Sequence, residues 1–141
     1  MKFYSGVLLV STEGAALLQR RDNQPGVSNP GLIGLFGGSA EVGETAVECA
    51  IREIQEELGL IMEPSKMHLL LEIGSKVGNV WQHSNIYVYY GVSLDGLRIC
   101  EGEKIEEIFS VDWESFDQLT PLCKMSLNQW GFKIPLQGNE N

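Results

Sequence analysis

The chain has 141 residues, enough for one domain with a hydrophobic core that needs no disulfide or structural metal to fold. Hydrophobic residues make up 43% and charged residues 21%, a globular balance that excludes an intrinsically disordered chain. The net charge of −9 argues against a duplex-binding protein, which would carry a basic surface. We therefore expect a single domain over residues 1–141 with no nucleic acid partner.

The sequence gives no sign of a membrane or secreted protein. No segment approaches the roughly 20 consecutive apolar residues that a membrane helix needs. Met1–Val7 is typical of the beginning of a β-strand and lacks the apolar run and cleavage site of a secretion signal. The cysteines at positions 49, 100 and 123 are widely spaced and odd in number, so no disulfide framework or zinc site is indicated. We predict a cytoplasmic protein with reduced cysteines and no membrane partner.

The first third of the chain predicts two strands and a long loop. Phe3–Val10 is an apolar, β-branched run, and Ser11–Gly14 is a turn that leads into a second strand at Ala15–Arg20. Arg21–Gly31 holds two prolines, two glycines and two asparagines, so it is predicted to be a long loop, a kind of segment that is often functional. A short apolar segment, Leu32–Phe36, leads from this loop to a pair of glycines.

Gly43–Leu58 predicts an amphipathic helix that ends before Gly59. The apolar residues follow the spacing of a buried helix face, and they are Val47, Ala50, Ile51, Ile54 and Leu58. Glu53, Glu56 and Glu57 are three and four residues apart and share another face. We therefore expect the helix to bury its apolar side and to present three carboxylates away from it.

The second half predicts three strands and two short helices. Met67–Lys76 and Val80–Val92 are typical of two long strands, and Ile105–Val111 of a further one. Trp113–Leu119 and Pro121–Trp130 are predicted to be short helices, the second with proline in its permitted first turn. Because strands and helices interleave, the predicted fold class is α/β with a mixed sheet.

The three glutamates of the helix indicate a metal site. Carboxylates this close repel one another, and a bound cation offsets the repulsion. Oxygen ligands suit Mg²⁺ or Mn²⁺, which also bind phosphate oxygens. Bound divalent cations make such a carboxylate site positive, so even an acidic chain can attract a polyphosphate. From the glutamates alone, a merely solvated helix face remains the alternative.

A longer pattern surrounds these glutamates. Gly38 is followed after five residues by Glu44, and seven residues later by the run Arg52–Leu60, which reads REIQEELGL. The segment resembles the Nudix box, G-x5-E-x7-R-E-U-x-E-E-x-G-U with U aliphatic, at every defined position. From average residue frequencies, a chance match at a given start is on the order of 10⁻⁹. The resemblance implies an α/β/α sandwich and a metal-dependent hydrolase that cuts a phosphoanhydride bond in a nucleoside diphosphate derivative.

The resemblance also implies roles for residues of the box. Glu56 and Glu57 would bind Mg²⁺ or Mn²⁺. Glu53 would be a further ligand or the general base, and Gly38 would offer its backbone carbonyl to the metal. Arg52 would orient the glutamates through charge-assisted hydrogen bonds.

Three further residues are implied less directly. Glu44 begins the predicted helix, and both a structural cap and a catalytic role stay open for it. Leu17–Arg21 resembles the strand that leads toward the site in many Nudix hydrolases, so Arg20 or Arg21 would meet a substrate phosphate. A solvated strand end is the alternative for both arginines.

A fourth carboxylate is expected from a loop after the second long strand. Cys100–Glu103 resembles the Glu-Gly segment of MutT-type members, in which the loop glutamate completes the metal site. This implies Glu101 as a metal ligand, with Glu103, Glu106 and Glu107 as its competitors.

Residues outside the box that are typical of particular Nudix subclasses reduce the range of candidate substrates by elimination. The proline typical of ADP-ribose pyrophosphatases and the tyrosine typical of dinucleoside polyphosphate hydrolases are missing downstream of the box, where Gly74–Gly78 stands. A nucleoside triphosphate (ordinary, deoxy or oxidised) or a nucleotide-sugar remains. The alternatives are a nucleotide-sensing Nudix domain that does not cleave and a hydrolase of RNA 5′ ends. Since family members are often dimers, the resemblance also allows a homodimer.

Overall fold

The computed structural model describes residues 1–26, 29–100, 104–109 and 116–131. Within this part of the chain, seven strands form one sheet and two α-helices pack on it. The strands are β1 (Lys2–Ser11), β2 (Ala16–Arg20), β3 (Ile33–Gly34), β4 (Phe36–Ser39), β5 (His68–Val77), β6 (Val80–Val92) and β7 (Lys104–Ile108), and the helices are α1 (Ala46–Leu58) and α2 (Pro121–Trp130).

Strand β1 is the centre of the sheet. The strand order is β3-β2-β1-β6-β5, with β4 paired to β1 and β7 paired to β2. β1 runs parallel to β6, and the other pairs are antiparallel. Ser5 of β1 lies opposite Gly38 of β4, and Gly6 lies opposite Gly37. The central strand therefore fixes the position of the glycine pair that precedes helix α1.

The two helices cover opposite faces of the sheet because side chains of β1 alternate between the faces. Val7 and Leu9 point to the side of α1, and the core there also contains Ala50, Ile54 and Leu58. Leu8 and Val10 point to the side of α2, and the core there also contains Cys123 and Leu127. The α/β/α sandwich with a mixed sheet is confirmed.

Helix α1 begins three residues later than predicted. Gly43 has φ +81°, in the left-handed region, so the helix cannot extend back to it. Thr45 is the N-cap: its hydroxyl accepts from the N–H of Glu48 at 3.1 Å, and the Glu48 carboxylate accepts from the N–H of Thr45 at 2.9 Å. This reciprocal pair satisfies two donors that the first turn leaves without a helical partner.

Most of the other predicted elements are present with small changes of boundary. The Pro121–Trp130 helix has the predicted bounds. Of the predicted Trp113–Leu119 helix, residues 113–115 lie outside the described residues, and Leu119 pairs with Ile33 in a β-bridge, so the helix does not reach Leu119. The predicted end of β7 at Val111 also lies outside the described residues. No helix in the described ranges has both the length and the apolar character needed to cross a membrane.

Candidate metal centre

Helix α1 places its three glutamates at different depths. Glu57 is only 2% exposed, whereas the side chains of Glu53 and Glu56 are 14% and 49% exposed. Our expectation that all three carboxylates point away from the apolar face is wrong for Glu57. It follows Ala50 by seven residues, so at roughly 100° per residue it lies about 20° from that buried alanine. The carboxylates therefore run from the core edge of the helix to its surface.

The buried Glu57 is held at both its side chain and its backbone. Its Oε1 accepts a hydrogen bond from the N–H of Gly37 at 3.1 Å. Its carbonyl oxygen accepts from the N–H of Cys100 at 2.8 Å, and the next carbonyl, of Leu58, accepts from the N–H of Arg98 at 3.1 Å. The segment Arg98–Cys100 therefore covers the C-terminal end of α1 next to Glu57.

The loop glutamates predicted as a fourth carboxylate are only partly covered by the structure. Glu101 and Glu103 lie outside the described residues, so the role of Glu101 stays a prediction. Of their competitors, Glu106 pairs with Arg20 through a 2.8 Å contact on β7. Glu107 lies on the same strand, opposite Leu17.

Two glycines let β4 pass closely between β1 and the glutamates. Gly37 has φ +152°, and a Cβ there would overlap the carbonyl oxygen of Ser5 and lie 2.7 Å from the Cα of Gly6. A Cβ on Gly38 would overlap the carboxylate of Glu53. The Glu53 carboxylate therefore lies directly against the Gly38 backbone. A larger residue at Gly37 would meet the backbone of β1, whereas one at Gly38 would displace the Glu53 carboxylate.

Arg52 joins several carboxylates in one network. Its Nε and Nη2 donate to both oxygens of Glu44, at 2.7 and 3.0 Å. Its Nη1 donates to Glu53 at 3.0 Å and to Glu56 at 3.2 Å, and Nη2 also donates to the carbonyl oxygen of Ser39 at 3.1 Å. These contacts have the geometry that an orienting residue needs.

Glu44 anchors this arginine and does not cap the helix, since Thr45 is the cap. Hydrogen bonds from Arg52 and from the N–H of Glu41 lower the pKa of Glu44 to about 2. In turn the Glu44 carboxylate, with Glu56 and Glu53, raises the pKa of Arg52. The pair is therefore fully charged at neutral pH.

The two arginines at the end of β2 have different surroundings. Arg20 donates to Glu106 at 2.8 Å, to the carbonyl of Gly31 at 3.0 Å and to Gln118 at 3.0 Å. Arg21 carries its charge near Tyr4: burial and the charge of Glu57 raise the pKa of Tyr4, and Arg21 opposes this rise. Tyr4 is thus within range of the charges of both Arg21 and Glu57, whereas the contacts of Arg20 are with Glu106, Gly31 and Gln118.

The donor set fits a hard divalent cation in its chemistry. It consists of carboxylate oxygens and the Gly38 carbonyl, and a buried charge such as that of Glu57 is costly unless a positive charge compensates it. Across the described ranges, no three acidic, histidine or cysteine side chains converge on a single point. Completing a metal site would therefore require side-chain adjustment or a donor such as Glu101.

The sequence is similar to a known family and to a curated protein. A family model described as the NUDIX domain matches residues 4–133. The NAD-capped RNA hydrolase NudC of Pseudomonas aeruginosa is 29% identical over 93 residues, which cover 66% of this chain but only 30% of NudC.

Solved structures with similar folds include two MutT proteins. The MutT NUDIX hydrolase of Burkholderia pseudomallei has a TM-score of 0.71 at 24% identity, covering 91% of this chain and 96% of its own. The MutT protein of Methanosarcina mazei has a TM-score of 0.74 at 18% identity, covering 92% of each chain. These two likenesses bear on the fold, and the family model covers most of the sequence; the chain therefore belongs to the Nudix hydrolase family.

Proposed function

We propose that this protein hydrolyses a phosphoanhydride bond in a nucleoside triphosphate or nucleotide-sugar, with Mg²⁺ or Mn²⁺ held by helix α1. The observation that carries the proposal is the row of three glutamates on α1, in which exposure falls from Glu56 through Glu53 to Glu57. This row lies beside the backbone of Gly37 and Gly38. A solvated surface helix would not bury one of these carboxylates to 2% exposure. A role for the row beyond solubility is therefore favoured.

The negative charge at this row affects a neighbouring side chain. The phenol of Tyr4 has its pKa raised by burial and by the charges of Glu57 and Glu53. A negative, partly buried site attracts a cation, and the cation in turn attracts phosphate oxygens. This supports a polyphosphate substrate for a chain whose net charge is −9.

In this proposal each residue has a physical task. Glu53, Glu56 and Glu57, together with the Gly38 carbonyl, would hold the divalent ion, and Glu101 would complete the site. Once bound, the ion would neutralise phosphate charge and make water a better nucleophile. Glu53, when not serving as a ligand, would accept a proton from that water as general base.

Two arginines would act on charge and orientation. Arg52 would keep Glu53 and Glu56 aligned, because its guanidinium donates to both. Arg21 would contact a substrate phosphate, and this choice over Arg20 is supported by the pKa of Tyr4, which responds to the charges of both Arg21 and Glu57. Arg20 is engaged by Glu106, Gly31 and Gln118, which favours a structural role at the end of β2.

One relative favours a second candidate function. The similarity to NudC, a hydrolase of NAD-capped RNA, makes an RNA 5′ end the main alternative substrate. The chain spans only 30% of that relative, and its net charge of −9 disfavours a nucleic acid, so we keep the small nucleotide as the first proposal. A domain that senses a nucleotide without cleaving it is disfavoured by the complete set of box glutamates.

The test is a substrate panel with purified protein in Mg²⁺ and in Mn²⁺. Ordinary, deoxy and oxidised nucleoside triphosphates, nucleotide-sugars, and triphosphorylated and NAD-capped RNA would be compared by released phosphate, pyrophosphate or nucleotide. We expect metal-dependent turnover of a small nucleotide that Glu56→Gln greatly reduces. Glu63→Gln is the matched control, because Glu63 is 63% exposed and pairs only with the surface Lys66 in the described contacts.

Each other outcome selects an alternative. Faster turnover of RNA ends would replace the first proposal with the second. Binding without turnover of any substrate would indicate a sensor. Mg²⁺ or Mn²⁺ as the ion, a cytoplasmic location and a homodimer stay predictions, and sedimentation velocity tests the last of these.

A further inference from the structure

Two buried polar side chains lie between β1 and α1 and have no task in the site described above. Ser5 is 1% exposed and Cys49 is fully buried. The thiol of Cys49 donates to the carbonyl oxygen of Gly38, with 3.5 Å between sulfur and oxygen. The hydroxyl of Ser5 donates to the carbonyl oxygen of Ala46 at 2.8 Å, and Ser5 lies directly opposite Gly38 in the sheet. Both side chains therefore lie behind the Gly38 peptide.

We propose that Cys49 is a positioning residue whose S–H fixes the direction of the Gly38 carbonyl toward the metal, while Ser5 fixes the first turn of α1. Because Gly38 is taken as a metal ligand, this role rests on the proposed function. The thiol itself touches neither metal nor substrate in this account.

Helix geometry explains why Cys49 can serve this purpose. Glu53 follows Cys49 by four residues, so the two side chains project from successive turns on one face of α1. Glu53 places its carboxylate where a Cβ of Gly38 would be, and Cys49 places its sulfur at the carbonyl oxygen of the same residue. One helix face thus holds the Gly38 peptide at two points.

The first experiment measures Mn²⁺ affinity by titration calorimetry for the wild type, Cys49→Ala, Cys49→Ser and Cys123→Ala. We expect Cys49→Ala to weaken Mn²⁺ binding by about threefold to tenfold, at or below the lower end of what loss of a ligand-supporting residue costs. Cys49→Ser should restore the wild-type affinity, because a hydroxyl also donates. Cys123→Ala is the matched control: it empties an equally buried cysteine site on the opposite face of the sheet and should bind Mn²⁺ like the wild type.

A second measurement uses the unaltered protein and does not depend on the stability of a variant. The S–H stretching band of Cys49, identified by its loss in Cys49→Ser, should move to higher frequency when Mn²⁺ is added. A carbonyl that donates electron density to a cation is a weaker hydrogen-bond acceptor, so the S–H bond is less perturbed. The Cys123 band should not move.

These results separate the two proposals. If the wild type binds Mn²⁺ but Cys49→Ala binds it equally well, or if Cys49→Ser fails to restore binding, Cys49 has no positioning role and the proposed function stands. A Cys49 band that is insensitive to Mn²⁺ would also overturn the role. If the wild type binds no Mn²⁺, the proposed function and the role of Cys49 both fall.

Discussion

The ion pair between Glu44 and Arg52 should make the stability of this protein depend on acid pH in a defined way. The two groups share hydrogen bonds of 2.7 and 3.0 Å, and the pKa of Glu44 falls from the ordinary 4.5 to about 2. A carboxyl whose pKa is lower in the folded state stabilises that state above its unfolded pKa. This contribution should therefore be complete above pH 4.5 and should disappear as the pH falls toward 2.

The perturbation is Glu44→Gln, and the assay is urea unfolding followed by tryptophan fluorescence from pH 7 to pH 3. We expect the variant to have a lower free energy of unfolding than the wild type at pH 7, and the difference to shrink steadily below pH 4.5. Glutamate side-chain NMR should show Glu44 titrating near pH 2 in the wild type and closer to 4.5 in Arg52→Gln. Together these measurements test whether the hydrogen bonds of the pair affect folding through the titration of Glu44.

Glu41→Gln is the matched control for this substitution. Glu41 also pairs with Arg52, but at 3.8 Å and with 71% of its side chain exposed, and such pairs contribute about 0–1 kcal/mol. The control should therefore unfold like the wild type at every pH. If Glu44→Gln did the same, or if Glu44 titrated near 4.5 in the wild type, the reasoning about the Arg52 network would be refuted.

Three further predictions concern packing and substrate contacts. Gly37→Ala should lower the free energy of unfolding by at least about 2 kcal/mol because its Cβ meets the β1 backbone, whereas Gly74→Ala, which meets nothing within 4 Å, should be nearly neutral in the same denaturation assay. Leu58→Ala should cost about 2–5 kcal/mol, since this side chain is fully buried under the sheet; a smaller loss would contradict the assigned core. Arg21→Gln should raise the KM for the nucleotide more than Arg20→Gln does in steady-state kinetics, and the opposite ranking would reverse the assignment of the two arginines.

The sequence predicted the parts of the site that depend on local spacing. Residues three and four apart on a helix share a face whatever surrounds them, so the grouping of Glu53, Glu56 and Glu57 could be predicted without a structure. The two strands of the first hairpin and helix α2, which begins at a proline, could also be predicted from neighbouring residues alone. The family pattern added Gly38, because the spacing from Gly38 to Arg52 is fixed by one loop and one helix.

Contacts between distant segments could not be predicted in this way. The burial of Glu57 was missed because a carboxylate was assumed to lie on the polar face, whereas the N–H of Gly37, 20 residues away, donates a hydrogen bond to the buried carboxylate. The partner of Arg20 is Glu106, 86 residues away, and no local pattern indicates that pair.

The contact of Cys49 is another that could not be predicted from the sequence. As a small residue on the inner side of a helix it is typical of core packing, and its contact with Gly38 depends on how closely β4 approaches α1. That approach is possible because Gly37 and Gly38 lack side chains. Only the structure relates the glycine pair to the thiol beneath it.

The central claim is that the glutamates of α1 bind a divalent cation. Titration with Mn²⁺, with the free ion followed by electron paramagnetic resonance, tests it without assuming any substrate. We predict that the wild type and Glu63→Gln deplete the free Mn²⁺ signal, and that Glu57→Gln does not at concentrations that saturate the wild type. Equal Mn²⁺ binding by the wild type and Glu57→Gln, or none by the wild type, would contradict the account.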